Sequence, residues 1–156
     1  MQYVDVLITT EEDTSTVFNI KTESPAKEKE FQAVSAEPYK EVAKRLQEKF
    51  GFKAVAITLR ENPLVWRNTW TAIAYAEGKF YDDVKYDVEI VDRIGGGDSF
   101  SAGFIYGCLT HKSYAAAVRY GNAFSALKHT MPGDFNWATL AEVEQLLKGA
   151  SLRVSR

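Results

Sequence analysis

Apolar and polar positions follow one another along the chain in blocks that predict alternating strands and helices. Val4-Asp5-Val6-Leu7-Ile8 is rich in Val and Ile, the pattern of a strand buried on both faces of a parallel sheet. Thr9-Thr10 then offers a cap, and Glu11-Glu12-Asp13 load acid onto the start of a helix. Phe18 to Ser35 is polar and irregular, broken by Pro25, and reads as a solvated surface segment. Ser35-Ala36-Glu37-Pro38 predicts a helix start with Ser35 as the cap. Tyr39, Val42, Ala43, Leu46 and Phe50 follow at spacings of three and four, and Gly51 ends the helix. Lys53 to Leu59 is the next buried strand, completing a strand-helix-strand unit of the right-handed parallel kind.

Residues 64–92 change character. Aromatic and β-branched positions from Trp66 to Ile90, punctuated by Asn62-Pro63 and Gly78-Lys79, predict three short antiparallel strands with Gly78 at a hairpin turn. Aromatics on such an edge stack on a base or, the favoured reading, pack. A helix from Asp98 carries Gly103 and Gly107 four apart, a surface on which another backbone can approach closely. Phe100, Phe104, Cys108 and Leu109 line its apolar side, with Cys108 as a small core residue. Ser113 caps a further helix of small residues that ends at Met131-Pro132-Gly133. Thr139 caps the last helix, with Leu140, Val143, Leu146 and Leu147 expected inside. His111 and His129 lack metal spacing and are expected at the surface.

Composition narrows the function more than the fold. At 156 residues and 46% hydrophobic content the chain suits a single domain spanning 1–156. A net charge of -2 gives no general attraction to nucleic acid or to an anionic membrane, so a polyanion would have to be held locally. No apolar run reaches about 18 residues, so no bilayer span is predicted. No signal peptide is expected either. The single cysteine excludes an internal disulfide and fits a cytoplasmic location.

The chemistry gathers at Gly95-Gly96-Gly97-Asp98. The β-branched run Val88 to Val91 before it and the helix after it predict strand, glycine turn, helix. A helix start carries unpaired N–H groups and the positive end of the macrodipole, so three glycines there let a phosphate approach the backbone. Asp98 falls in the first helical turn, where it either faces what the turn binds or merely caps the helix. Ligands of open α/β sheets collect at the carboxyl ends of strands, which places Thr58, Arg60 and Glu61 near the same rim. Arg60 then either pairs with phosphate in bidentate fashion or is a loop residue paired with Glu61.

Val91 to Phe104, fourteen positions in fixed order, resembles the C-terminal motif of ribokinase-like (phosphofructokinase B type) sugar kinases, most closely the 2-keto-3-deoxygluconate kinase branch. The usual core there is Gly-Ala-Gly-Asp, so Gly96 is a departure that keeps the backbone role. Lys128 and Gly133-Asp134 resemble the Lys-His-x-x-Pro-Gly-Asp-Phe stretch of that branch.

The resemblance implies a three-layer αβα ribokinase-like (Rossmann-like) partial domain, with a mostly parallel sheet and an antiparallel edge. It implies a phosphotransferase that uses ATP and Mg2+ to convert 2-keto-3-deoxygluconate to its 6-phosphate. Gly95, Gly96 and Gly97 would form the anion hole and Asp98 would take the proton of the sugar hydroxyl. Thr58 and Arg60 would belong to the ATP site. Asn122 is either a satisfied core amide or the residue at the family's adenine position. Thr10 and Asp13 stand where the family has Asn-x-x-Glu, which makes Asp13 a candidate near the metal. The match covers only the carboxyl-terminal portion of such a kinase, so a fragment is expected, with uncovered surfaces that favour self-association or a homo-oligomer. The other readings are a non-catalytic nucleotide-binding domain and an α/β interaction module.

Overall fold

The computed structural model describes residues 1–22 and 36–149. The predicted Ser35 cap and most of the expected surface segment, 23–35, lie outside the described residues. The first strand, β1, is Val6–Thr10 and leads directly into the short helix α1, Glu11–Thr16. As the acid-rich start predicts, the Thr10 hydroxyl oxygen accepts the Asp13 backbone N–H. Helix α2, Glu37–Phe50, has Pro38 in its first turn and ends at Gly51, whose φ of 75° is a left-handed conformation. Val42, Ala43 and Leu46 form its buried stripe.

Strand β2, Ala54–Leu64, is longer than its apolar run predicts, because it continues through Pro63 as one arm of a hairpin with β3, Arg67–Ala76. The turn around Gly78 leads to β4, Lys79–Asp82, and β5 follows at Tyr86–Glu89. The sheet order is β1-β2-β3-β4, with β5 also on β3. Strands β4 and β5 occupy the two ends of the same β3 edge, since β4 pairs with residues 73–76 and β5 with 67–70. The α/β class is as expected, and where a mostly parallel sheet with an antiparallel edge was expected the sheet is mixed. Within this chain β1 and β2 form the parallel pair, while β2 with β3, β3 with β4 and β3 with β5 are antiparallel.

Helix α2 covers one face of the sheet, packing Val42 and Leu46 against Val55, Ile57 and Ile73. Helices α3, Gly96–His111, and α4, Tyr114–His129, cover the other, with Phe100, Phe104 and Val118 against Ala56, Ala72 and Ala74. This is a three-layer αβα arrangement. The paired glycines of α3 do what their spacing predicts. A Cβ on Gly103 would lie 2.6 Å from the Tyr120 carbonyl oxygen, and one on Gly107 would lie 2.5 Å from the Ala117 Cα, so α3 and α4 meet backbone to backbone.

Helix α5, Leu140–Leu147, begins with a capping box of Thr139 and Glu142. It buries Val143 and Leu146, whereas Leu140 is exposed and Leu147 half-buried. No helix among the described residues is long and apolar enough to cross a membrane.

Candidate phosphate-binding turn

The turn between β5 and α3 is shaped by one residue that only glycine can supply. Gly95 caps α3 at φ 80°, and a Cβ there would meet the Asp134 carbonyl oxygen at 2.1 Å. Both the left-handed backbone and the close approach exclude a side chain. The helix ladder begins when Ser99 N–H donates to the Gly95 carbonyl at 2.9 Å. Ahead of it the Gly96 amide donates to the Arg93 carbonyl at 3.3 Å, and the Gly96 carbonyl accepts from the Ser125 hydroxyl at 2.7 Å. Gly96 is buried and committed inward on both sides, so its amide, expected in the anion hole, is bonded to Arg93 instead.

Gly97 differs from its neighbour. It is exposed and has nothing within 4 Å of where its Cβ would be, and neither its amide nor that of Asp98 makes a hydrogen bond among the described residues. The side chain of Asp98 is exposed as well, with no hydrogen bond or ion pair there. Two free amides at the head of a 16-residue helix and a free carboxylate therefore face open space together.

The rear of this turn is built by the end of α4 and the loop beyond it. His129, expected at the surface, is buried. Its Nδ1 bonds the Ser125 carbonyl at 2.7 Å, and its ring stacks obliquely on Trp70 at 4.8 Å. That ring fills the space where Gly96 would carry a Cβ, which would fall 2.8 Å from Cε1. Burial, and the positive charges of Lys128, Arg93 and Arg60, hold His129 below the ordinary histidine pKa, which favours the neutral ring. Asp92 accepts the Ile94 amide at 3.0 Å and the Gly133 amide at 3.0 Å, and these two bonds hold its carboxyl below the usual range. The His129 carbonyl receives the Val91 N–H at 2.8 Å. Ser125 and His129 are four residues apart and so share one face of α4, a spacing visible in the sequence. What that face meets is not visible there.

Arg60 pairs across the β2–β3 hairpin with Trp70, the residue on which the His129 ring rests. It lies within β2 rather than in a loop, and its guanidinium stands 3.7 Å from Glu11 and 3.9 Å from Glu12 on α1. The Glu61 side chain lies outside the described residues. Thr58 is buried on the last rung shared with β1, opposite Thr10, and its hydroxyl reaches the Thr9 carbonyl at 3.4 Å.

The Asp13 carboxylate accepts the Thr10 hydroxyl at 2.9 Å in the α1 cap. Among the described residues no group of three His, Cys, Asp or Glu gathers to hold a metal. Asn122 is fully buried in the middle of α4. Its amide nitrogen donates to the Asp83 carboxylate at 3.1 Å and to the Val84 carbonyl at 2.8 Å, which ties it to the loop between β4 and β5.

The model of the pfkB family of carbohydrate kinases matches residues 1–138 of the chain. A 2-dehydro-3-deoxygalactonokinase of Haloferax volcanii is 29% identical over 153 residues, which cover 98% of this chain and 41% of that protein. The crystal structure of 2-dehydro-3-deoxygluconokinase from Thermotoga maritima superposes with a TM-score of 0.84 at 37% identity, over 95% of this chain and 42% of that one. A ribokinase II of E. coli solved in complex with ATP and Mg2+ shares the fold, with a TM-score of 0.62 at 23% identity over 94% of this chain and 40% of that one. The chain thus spans about two fifths of the length of the relatives it matches.

Proposed function

The chain belongs to the pfkB family of carbohydrate kinases, and from that premise we propose that it supplies the phosphate-binding and proton-accepting part of an ATP-dependent sugar kinase. The observation that carries the reading is the pair of unbonded amides at Gly97 and Asp98, set beside an unpaired carboxylate at the head of α3. Phosphoryl transfer asks a protein mainly to position groups and to stabilise charge on the equatorial oxygens. Free N–H groups on a rigid helix start perform that task without reorganising. The Asp98 carboxylate accepts the proton of the attacking hydroxyl, and being unpaired it loses no partner in doing so. ATP supplies the phosphoryl group when bound, and Mg2+, which keeps several waters, needs few protein ligands beside the phosphates.

The acceptor we propose is a 2-keto-3-deoxy sugar acid, 2-keto-3-deoxygluconate first, with phosphate placed on its 6-hydroxyl. Support comes from the two named relatives, one a 2-dehydro-3-deoxygluconokinase and one a 2-dehydro-3-deoxygalactonokinase. Val65, Trp66, Val91 and Ile94 are exposed on segments next to the turn. Apolar surface of this kind favours association with a second copy or with further protein, and the single thiol suits a cytoplasmic setting.

Titration of the chain with ATP and Mg2+ in a calorimeter tests the reading. Saturable binding that weakens when Gly97 is replaced by Pro, which removes one of the two free amides, is expected. Absence of saturable binding would exclude the kinase reading for this chain.

A further inference from the structure

Lys128 is wholly buried, one residue before the ring that backs Gly96. An ammonium taken out of water is costly unless it is paired and hydrogen-bonded, so its surroundings reveal its work. Its Nζ donates to the Met131 carbonyl at 3.1 Å. Its charge also helps hold the Asp92 carboxyl ionised. Its Cε lies 3.2 Å from the point where a side chain on Gly95 would begin, so its stem runs directly behind the left-handed residue of the turn. Asp92 in turn accepts one amide from each of two segments, Ile94 in the turn and Gly133 in the loop after α4. A buried cation on the 131 side and a carboxylate on the 92 side thus stitch the two segments together.

We propose that Lys128 is a positioning residue whose ammonium acts as an internal cation, locking the loop of residues 131–134 onto the turn of residues 92–95 and so aiming the Gly97 and Asp98 amides. The lock itself is independent of the kinase reading. Its consequence for nucleotide binding rests on that reading. A merely structural lysine would contribute through its four methylenes, which methionine replaces closely. A lysine that locks acts through its charge, which methionine lacks.

Hydrogen exchange by NMR on the full chain separates the two. In Lys128→Met, exchange at the Ile94 and Gly133 amides is expected to quicken about tenfold or more, as loss of a charged hydrogen bond implies. Exchange in α2 and β2 should stay unchanged. In Lys128→Ala, methylammonium chloride should slow those two amides again in a saturable way, while choline chloride, too bulky for the vacated space, should not. Wild-type exchange at Ile94 and Gly133 in Lys128→Met overturns the proposal, as does a folded Lys128→Ala that methylammonium leaves unaltered. If Lys128→Ala does not fold, the methionine variant decides alone. ATP titration of the same samples should show about tenfold weaker binding in Lys128→Met. A wild type that binds no ATP while Lys128→Met exchanges faster would remove the kinase reading and leave the lock standing.

Discussion

Strands β1 and β2 run side by side in register, Val6 beside Ala54 through Thr10 beside Thr58, and both are composed as interior strands. Their surroundings differ. From Ala54 to Leu59 every residue of β2 is buried, whereas Val6 is 37% exposed and Leu7 and Ile8 are half-buried. The composition of a strand reports the environment it suits, and β1 suits a position with a neighbour on each side. Among the described residues it has a neighbour on one side only, and its outer backbone is an open edge. The glycine turn shows the opposite condition, because its rear is closed by Ser125, Lys128, His129 and Asp134. One margin of the molecule is closed, and the other is an open strand edge among the described residues.

The comparison can be broken most forcefully at the core. Ile57→Ala in β2 should cost about 2–5 kcal/mol in denaturant unfolding, and Ile8→Ala in β1 clearly less, since less of that side chain leaves water on folding. Equal costs would mean that the edge is packed as well as the centre. Next in size is the chemical test of the closed margin. In a protein that joins this chain to the sugar-binding remainder of such a kinase, Asp98→Asn should lower turnover about 10²-fold or more and leave ATP affinity near normal. Undiminished turnover would remove the proton-accepting role.

The smallest expected effect concerns pH. His129 binds a proton less readily in the folded state than in the unfolded one. At high pH both states hold it neutral and it contributes nothing to the difference. As pH falls through the ordinary histidine pKa of about 6.5, the unfolded state takes up the proton first and stability declines, levelling off once the folded state is protonated too. Urea midpoints between pH 8 and pH 5 should fall less steeply for His129→Gln than for the wild type. Parallel slopes would show that the ring does not titrate in this way.

Local signals were legible in the sequence. Thr10, Ser113 and Thr139 cap the helices they were expected to cap, and Gly51 and Gly78 sit in the turns they predicted. The close approach of α3 and α4 was written in Gly103 and Gly107, because a missing Cβ has a geometric meaning wherever it occurs. The length of β2 was not legible, since Pro63 reads as an interruption unless one knows that its strand is a hairpin arm. Nor was the burial of His129. That depends on Trp70, nearly sixty residues away, meeting the end of α4. Asn122 was left between two roles by the sequence, and the structure turns its amide toward Asp83 and Val84.

Helix α4 holds one loop at its middle and another at its end. Asn122 grips the bend after β4, and two turns further along the same rod His129 leans on Gly96. A rod of this length does not flex between such nearby grips. A crosslink that pulled on Asp83 would therefore bear, through one stiff helix, on the glycines at the head of α3 on the same face of the sheet.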